Sequence, residues 1–205
     1  MHDLNKALAD ILTIRSQLAA GTAFQGYGPR AVAATGVLAL LAAAGQAWSF
    51  GGEQPAAFPF FALWVAIAVA AVGVIGAEMV ARTRRRHAGL ADELLRHAAE
   101  QMLPASAVGA LLLLTLWRFA PEVLWMLPGL WQILIGLGIF ASLRILPRLL
   151  TLAGAFYVVA GFAMLALSAE ARTLSPWTMG LPFALGQILT AGLLRLASER
   201  NDGEI

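Results

Sequence analysis

The sequence predicts an all-α integral membrane protein of six transmembrane helices in three hairpins, preceded by a cytoplasmic amphipathic helix. Of the 205 residues, 60% are hydrophobic and 13% are charged, whereas soluble domains contain about 45–50% apolar and about 25% charged residues. The apolar residues form near-continuous runs rather than the stripes of soluble amphipathic helices. The basic residues fall on alternate connections between these runs, as expected for a polytopic membrane protein.

Residues 1–22 are predicted to form the amphipathic helix. Leu4, Leu8 and Leu18 belong to an apolar series with helical spacing, and Gly21 is a suitable C-cap. The segment is too polar to cross a bilayer. Its apolar face is therefore expected to lie on the membrane surface or against another part of the protein.

Six apolar runs follow within a single transmembrane domain, residues 31–198. They are predicted at 31–50, 59–81, 105–119, 124–143, 149–169 and 177–196, and most approach the roughly 20 residues that cross a bilayer. Prolines are expected at junctions between helices, where they cost least. These prolines are Pro104, Pro121, Pro147 and Pro176. Whether the sixth helix begins at Trp177 or effectively at Pro182 stays open.

The distribution of basic residues predicts that both termini, including the tail 199–205, are cytoplasmic. Twelve of the 14 lysines and arginines then lie inside, and only Arg118 and Arg172 lie outside. The tryptophans agree, because all six fall at predicted outer ends of helices, where the ring favours the membrane interface. They are Trp48, Trp64, Trp117, Trp125, Trp131 and Trp177. Thirteen arginines against one lysine are typical of a GC-rich genome, so we expect a bacterial inner membrane.

The longest cytoplasmic connection, residues 82–104, is basic and then amphipathic. It opens with Arg82, Arg84, Arg85 and Arg86 and continues with a predicted helix whose apolar face includes Leu90 and Leu94. Membrane topology alone explains these arginines and the pI of about 9.7. Neither feature therefore requires a nucleic-acid partner. The arginines would also attract anionic lipid headgroups, by about 1 kcal/mol per basic residue near the surface. A cytoplasmic protein partner is the other alternative.

The second, fourth and sixth helices begin with similar sequences. The fourth and sixth share a Leu-Pro-small-Leu-x-Gln-Ile-Leu pattern, starting at Leu127 and at Leu181, with one extra residue in the sixth. This pattern predicts tandem hairpins related by an axis along the membrane normal, an arrangement in which transporters bind substrate between repeats. Chance similarity in a Leu-, Ala- and Gly-rich sequence is the alternative.

Neutral polar residues within the spans are the main candidates for a site. They are Gln46, Thr115, Gln132, Gln187 and Tyr157. Amides in lipid normally form interhelical hydrogen bonds, and the alternative is a small polar cavity that opens outward. Two pairs of charged residues four positions apart are candidate ion pairs, Glu78 with Arg82 and Arg118 with Glu122. Glu78 alternatively faces the bundle interior and binds a proton or a cation.

Several chemistries are excluded by the sequence. Cysteine is absent, so thiolate nucleophiles and Cys-bound metals are excluded. The histidines are His2, His87 and His97, all outside the predicted spans, and protease and nucleotide-binding motifs are missing. We therefore expect no cofactor, no metal and no enzymatic activity.

Two classes of function remain open. The first is a small transporter or channel-like protein for a small solute, and the second is a membrane-anchored interaction or regulatory protein that binds a cytoplasmic partner or anionic lipid. Small-residue spacings such as Gly73 with Ala77 would also permit a homo-oligomer. A cavity bounded by the glutamines would favour transport, and a dry core would favour the interaction protein.

Overall fold

The computed structural model describes residues 28–51, 53, 55–86, 91–144 and 146–202. Within these ranges the chain forms six α-helices and no strand. They are α1 (Pro29–Phe50), α2 (Ala57–Arg86), α3 (Ala91–Phe119), α4 (Leu127–Ala141), α5 (Thr151–Ser168) and α6 (Pro176–Asp202). A 3₁₀ turn, Pro121–Met126, leads directly into α4. The amphipathic helix predicted for residues 1–22 lies outside the described residues.

The helices have the length and composition of membrane spans. Among the described residues, five segments are long and apolar enough to cross a bilayer. They are Pro29–Phe50, Ala57–Ala81, Pro121–Ala141, Arg148–Ser168 and Pro176–Glu199, of which the third and fourth join a 3₁₀ turn to α4 and to α5. The apolar part of α3 is the shorter stretch Leu103–Phe119. The predictions of an all-helical fold and of a multi-pass membrane protein are therefore confirmed. The predicted count of six crossings stays a prediction, because the sixth would depend on this stretch of α3, which is about 25 Å long against a hydrocarbon core of about 30 Å.

The proline positions correct part of the prediction. Pro121, Pro147 and Pro176 lie at junctions, as predicted, but Pro104 lies inside α3. The separate linker helix and third span are thus one helix of 29 residues. Pro104 removes the hydrogen bond that would reach the carbonyl of Glu100. Glu100 is exposed, so water can satisfy this carbonyl and the helix continues.

The most extensive packing joins α1 to α6 and α4 to α5. The two helices of each predicted hairpin (α1 with α2, α3 with α4, α5 with α6) make smaller contacts. Helices α1 and α6 are antiparallel, because Gly36 lies against Ala184 whereas Gly180 lies against Ala39 and Ala43. A Cβ atom added to Gly180 would lie 3.1 Å from the carbonyl oxygen of Ala39. Small residues therefore bring the first and last described helices into close backbone contact.

Glycines also bring α4 and α5 together. A Cβ on Gly129 would lie 2.7 Å from the carbonyl oxygen of Gly161, and a Cβ on Gly161 would lie 2.6 Å from that of Gly129. About two turns further along, a Cβ on Gly136 would lie 2.8 Å from the carbonyl oxygen of Gly154. Real Cβ atoms do not approach that closely, so these glycines are required for the contact.

Two clusters of buried side chains occupy opposite ends of the bundle. The first, which we call the aliphatic cluster, contains Val32, Leu146, Leu150, Ala153, Ala191, Leu193 and Leu194. The second, which we call the aromatic cluster, contains Ala39, Ala43, Phe60, Phe61, Trp64, Leu124, Leu127 and Met179. By the predicted orientation, the aromatic cluster lies towards the outer side. Gln46 forms a hydrogen bond with Trp64 of this cluster.

Candidate functional site: polar groups around the aromatic cluster

Gln46 joins α1 to α2 at the aromatic cluster. The indole Nε1 of Trp64 donates a 2.9 Å hydrogen bond to Oε1 of Gln46. The amide Nε2 of Gln46 donates in turn to the carbonyl oxygen of Phe60, at 3.4 Å. Gln46 is 5% exposed and Trp64 is 2% exposed. Both ends of this amide are thus used in contacts between helices.

The Gln46–Trp64 hydrogen bond has a measurable consequence. Trp64→Phe should lower the free energy of unfolding by about 1–2 kcal/mol, because Oε1 of Gln46 then stays buried without its indole donor. Reversible unfolding in mixed detergent micelles would measure this loss. Trp48→Phe is the control, since Trp48 is exposed. The loss in the double variant should not equal the sum of the losses from Trp64→Phe and Gln46→Leu, because both changes remove the same hydrogen bond. A loss equal to that sum would show that the bond does not contribute to stability.

Gln132 donates a hydrogen bond to a carbonyl of α6 that a proline leaves without its helical donor. Pro182 lies inside α6, and because proline has no N–H, the carbonyl four residues earlier, that of Thr178, loses its helical donor. The amide Nε2 of Gln132 donates a 3.0 Å hydrogen bond to this carbonyl oxygen. Gln132 is 1% exposed. A side chain of α4 therefore supplies the donor that α6 lacks, as neighbouring helices often do in membranes.

Two buried polar atoms have no hydrogen-bond partner within the described part of the chain. They are Oε1 of Gln132 and Nε1 of Trp125. The first is an acceptor and the second is a donor. Neither was distinguished by the sequence from the other polar groups near the outer ends of the helices.

Gln187 and Tyr157 lie deeper and face different neighbours. Helix α6 is continuous from Pro176, which settles the question of where it begins. The hydroxyl of Tyr157 donates to the carbonyl oxygen of Phe183 at 3.2 Å, whereas Gln187 packs against Gly36 of α1. Gln187 is nine residues beyond Thr178, so it lies about 13 Å further along the helix.

The structure thus brings together only part of the predicted polar set. Gln46 and Gln132 lie on either side of the first turns of α6, where Thr178 contacts Gln132 and Gly180 contacts Trp64, the partner of Gln46. Thr115 is exposed on α3, and Gln187 lies at another depth. The partner of Gln132 could have been found from the sequence by counting four residues back from Pro182. The choice of Gln132 as its donor depends on tertiary packing.

The six tryptophans differ in exposure, and Trp125 and Trp131 are half-buried. Trp48, Trp117 and Trp177 are exposed, as residues at a membrane interface would be. Trp64 is instead a core residue, and the expectation that all six lie at the interface is wrong for it. The physical reason is that Gln46 satisfies its indole N–H inside the protein, so the ring does not need the interface.

The charged candidates are distributed as follows. The carboxylate of Glu78 lies against Gly28 at the N-terminus of α1, where the helix dipole favours a negative charge. Arg118 and Glu122 do not form an ion pair in the described structure, because α3 ends at Phe119 and the helical spacing between them is lost. The guanidinium carbon of Arg118 lies 5.4 Å from the ring centroid of Phe119 instead.

The side chains of Arg82, Arg84, Arg85 and Arg86 lie outside the described part of the structure, although their backbone is helical. The predicted Glu78–Arg82 pair and the contacts of the basic cluster therefore stay predictions. Among the described residues, no group of three or more His, Cys, Asp and Glu side chains is placed to hold a metal ion.

Comparisons with models of protein families, with curated proteins and with solved structures give no match. The functional interpretation therefore depends on the chain's own geometry.

Proposed function

We propose that this chain is a membrane-anchored interaction protein that binds a cytoplasmic protein partner. The observation that carries this proposal is the continuity of α2 and α3 beyond their apolar segments. The apolar part of α2 ends at Ala81 while the helix continues to Arg86, and α3 begins at Ala91, well before its apolar stretch starts at Leu103. We call residues 82–86 and 91–102 the basic projection.

The dimensions of the basic projection support a role outside the bilayer. The 12 residues 91–102 extend α3 by about 18 Å beyond its apolar part, and residues 82–86 extend α2 by about 7 Å. Arg96 and Glu100 form an exposed 2.9 Å ion pair on this extension. Because α3 is one helix, a partner that binds residues 91–102 is connected to the membrane domain by continuous helix.

The contacts of the glutamines also support this proposal over a transport pathway. Gln46 uses both ends of its amide in bonds to α2, and Gln132 donates to α6. These side chains stabilise helix packing, as polar residues commonly do in membrane bundles. The proposal includes the orientation predicted from the basic residues, with the basic projection in the cytoplasm of a bacterial inner membrane.

The absence of cysteine makes a direct test simple. Two variants each provide a single labelling site in the full chain. Glu100→Cys lies on the basic projection, and Trp48→Cys lies near the C-terminus of α1, on the predicted outer side. Both residues are exposed. In intact cells, a membrane-impermeant maleimide should label only the Trp48→Cys variant. The reverse labelling pattern would contradict the orientation.

A photo-crosslinker attached to the same two cysteines tests the partner. In native membranes, the Glu100→Cys variant should give a discrete protein adduct that the Trp48→Cys control lacks. Adducts with lipid alone, or with a second copy of this chain, would contradict a cytoplasmic protein partner. Combining Arg84→Gln, Arg85→Gln and Arg86→Gln should reduce the adduct if the cluster contributes to binding.

Transport of a small neutral solute is a second candidate, favoured by the buried acceptor Oε1 of Gln132. Purified chain in proteoliposomes would then transport such a solute. Gln132→Leu should abolish that transport, and the control Gln187→Leu should retain it. Equal transport by both variants would exclude Gln132 from the pathway.

A further inference from the structure

Helix α2 is packed tightly into the bundle in its first half alone. Near its start, Phe60, Phe61 and Trp64 are at most 2% exposed and belong to the aromatic cluster. Beyond Ala71, no described side chain of α2 is buried, and Val72 is 70% exposed. The second half of the helix, which leads to the arginines of the basic projection, is therefore held less firmly than the first.

Two glycines lie within this loosely packed half of α2. In the described structure, no neighbouring atom lies within 4 Å of a Cβ added to Gly73 or to Gly76, whereas Gly161 and Gly180 lie against the backbones of other helices. Close packing therefore does not require glycine at position 73 or 76. Glycine weakens a helix because its backbone has more conformational freedom, and bends in helices occur at such residues. Gly73 and Gly76 thus mark a bending point between the packed half of α2 and the basic projection.

Beyond these glycines, Glu78 and Met79 contact the rest of the bundle. The carboxylate of Glu78 lies directly on Gly28, next to the first turn of α1. Gly28 supplies no side-chain cap to this turn, and the helix dipole attracts negative charge there. Met79 packs against the aliphatic cluster, and its flexible side chain can follow a moving helix. The carboxylate is therefore a polar contact that fixes the position of this end of α2.

We propose that residues 77–86 of α2 form a movable arm, which bends about Gly73 and Gly76 and is held against the bundle by Glu78 at Gly28. A bend of about 20° at Gly76, the lower limit of a sharp kink, moves Thr83 by about 4 Å, because Thr83 lies about 10 Å further along the helix. The arm carries arginines of the basic projection, so its position decides where they are presented to a partner. This regulatory role rests on the function proposed above, whereas the movement itself does not.

Distances between spin labels test the arm in the purified full chain, without any partner. The chain has no cysteine, so Thr83→Cys reports on the arm and Val65→Cys reports on the packed half of α2. Each is combined with Gly192→Cys on α6, where an added side chain meets open space. Double electron–electron resonance in lipid nanodiscs measures both distances. We expect Glu78→Leu to shift the distance from Thr83 by about 4 Å, or to broaden it over that range, and to leave the distance from Val65 unchanged.

Two further variants test the contact and the bending point separately. Gly28→Ala breaks the same contact from the other side, because the added methyl group would occupy the position of the Glu78 carboxylate. The carboxylate can rotate aside, so this variant should fold and should give the same shift as Glu78→Leu. Replacing both Gly73 and Gly76 with alanine in the Glu78→Leu background should largely remove the shift, since alanine stiffens the helix.

Three results would overturn the proposal. Unchanged distances in both Glu78→Leu and Gly28→Ala would show that the carboxylate does not hold the arm. Equal shifts at Thr83 and Val65 would show that α2 moves as a straight rod. A shift that persists in full with alanine at positions 73 and 76 would exclude the bending point. Because no partner takes part in these measurements, their failure is distinguishable from the absence of a crosslinked protein adduct.

Discussion

Replacing Gly161 with alanine should lower the free energy of unfolding by about 3 kcal/mol, at the upper end of the usual cost of overpacking. The new methyl group would lie 2.6 Å from the carbonyl oxygen of Gly129 and 3.0 Å from the backbone nitrogen of Ile133. Backbone atoms cannot rotate away as a flexible side chain can. Helices α4 and α5 would have to separate and lose contact along their length. Reversible unfolding in mixed detergent micelles would measure the loss.

Two further variants make this prediction specific. Gly192 of α6 has no atom within 4 Å of an added Cβ, so Gly192→Ala should stabilise the protein by up to about 1 kcal/mol through helix propensity. Gly129→Ala should be as harmful as Gly161→Ala, because the two added methyl groups act at the same crossing. The double variant should therefore lose less than the sum of the two. A harmless Gly161→Ala would show that α4 and α5 are not in close contact.

Gln132→Leu should lower the free energy of unfolding by about 2 kcal/mol, because it leaves the partly buried carbonyl of Thr178 without a donor. The cause is the proline four residues later in α6, which cannot supply the N–H that any other residue would. This prediction concerns stability alone. It holds whether the chain binds a partner or transports a solute.

Pro182→Ala provides the decisive background for this measurement. Alanine at position 182 restores an N–H group that can donate to the carbonyl of Thr178, so the loss from Gln132→Leu should become much smaller in this background. Gln187→Leu serves as a control, because Gln187 lies on the opposite face of α6 from Thr178 and about 13 Å further along the helix. An identical loss from Gln132→Leu with and without Pro182 would show that the glutamine does not compensate for the proline.

The helices could be predicted from the sequence because lipid imposes a simple rule on each segment separately. A segment such as 31–50 is apolar over a bilayer's thickness, and the structure places α1 at Pro29–Phe50. The prediction for Pro104 was wrong for an equally local reason. A proline disrupts a helix less where water can reach the carbonyl that it frees, and the exposure of Glu100 was not visible in the sequence.

The pairing of helices could not be predicted in the same way. Gly36, Gly180 and Gly161 lie in sequences rich in other small residues, and any of these could permit close approach. Which glycines are used depends on how all the helices fit together. For the same reason, the sequence named Gln46 and Gln132 as candidates for interhelical bonds but could not supply their partners, Trp64 and Thr178. The repeat of the even-numbered helices stays a prediction.

The close contact between α1 and α6 has a consequence for biosynthesis. Helix α1 emerges from the ribosome before the other described helices, yet Gly180, which packs against Ala39 and Ala43, is made only with α6. Until then α1 has only its smaller contact with α2 among the described helices. Closure of the bundle is therefore a late step, and a ribosome that stalls before residue 176 releases a chain whose first helix lacks its main neighbour.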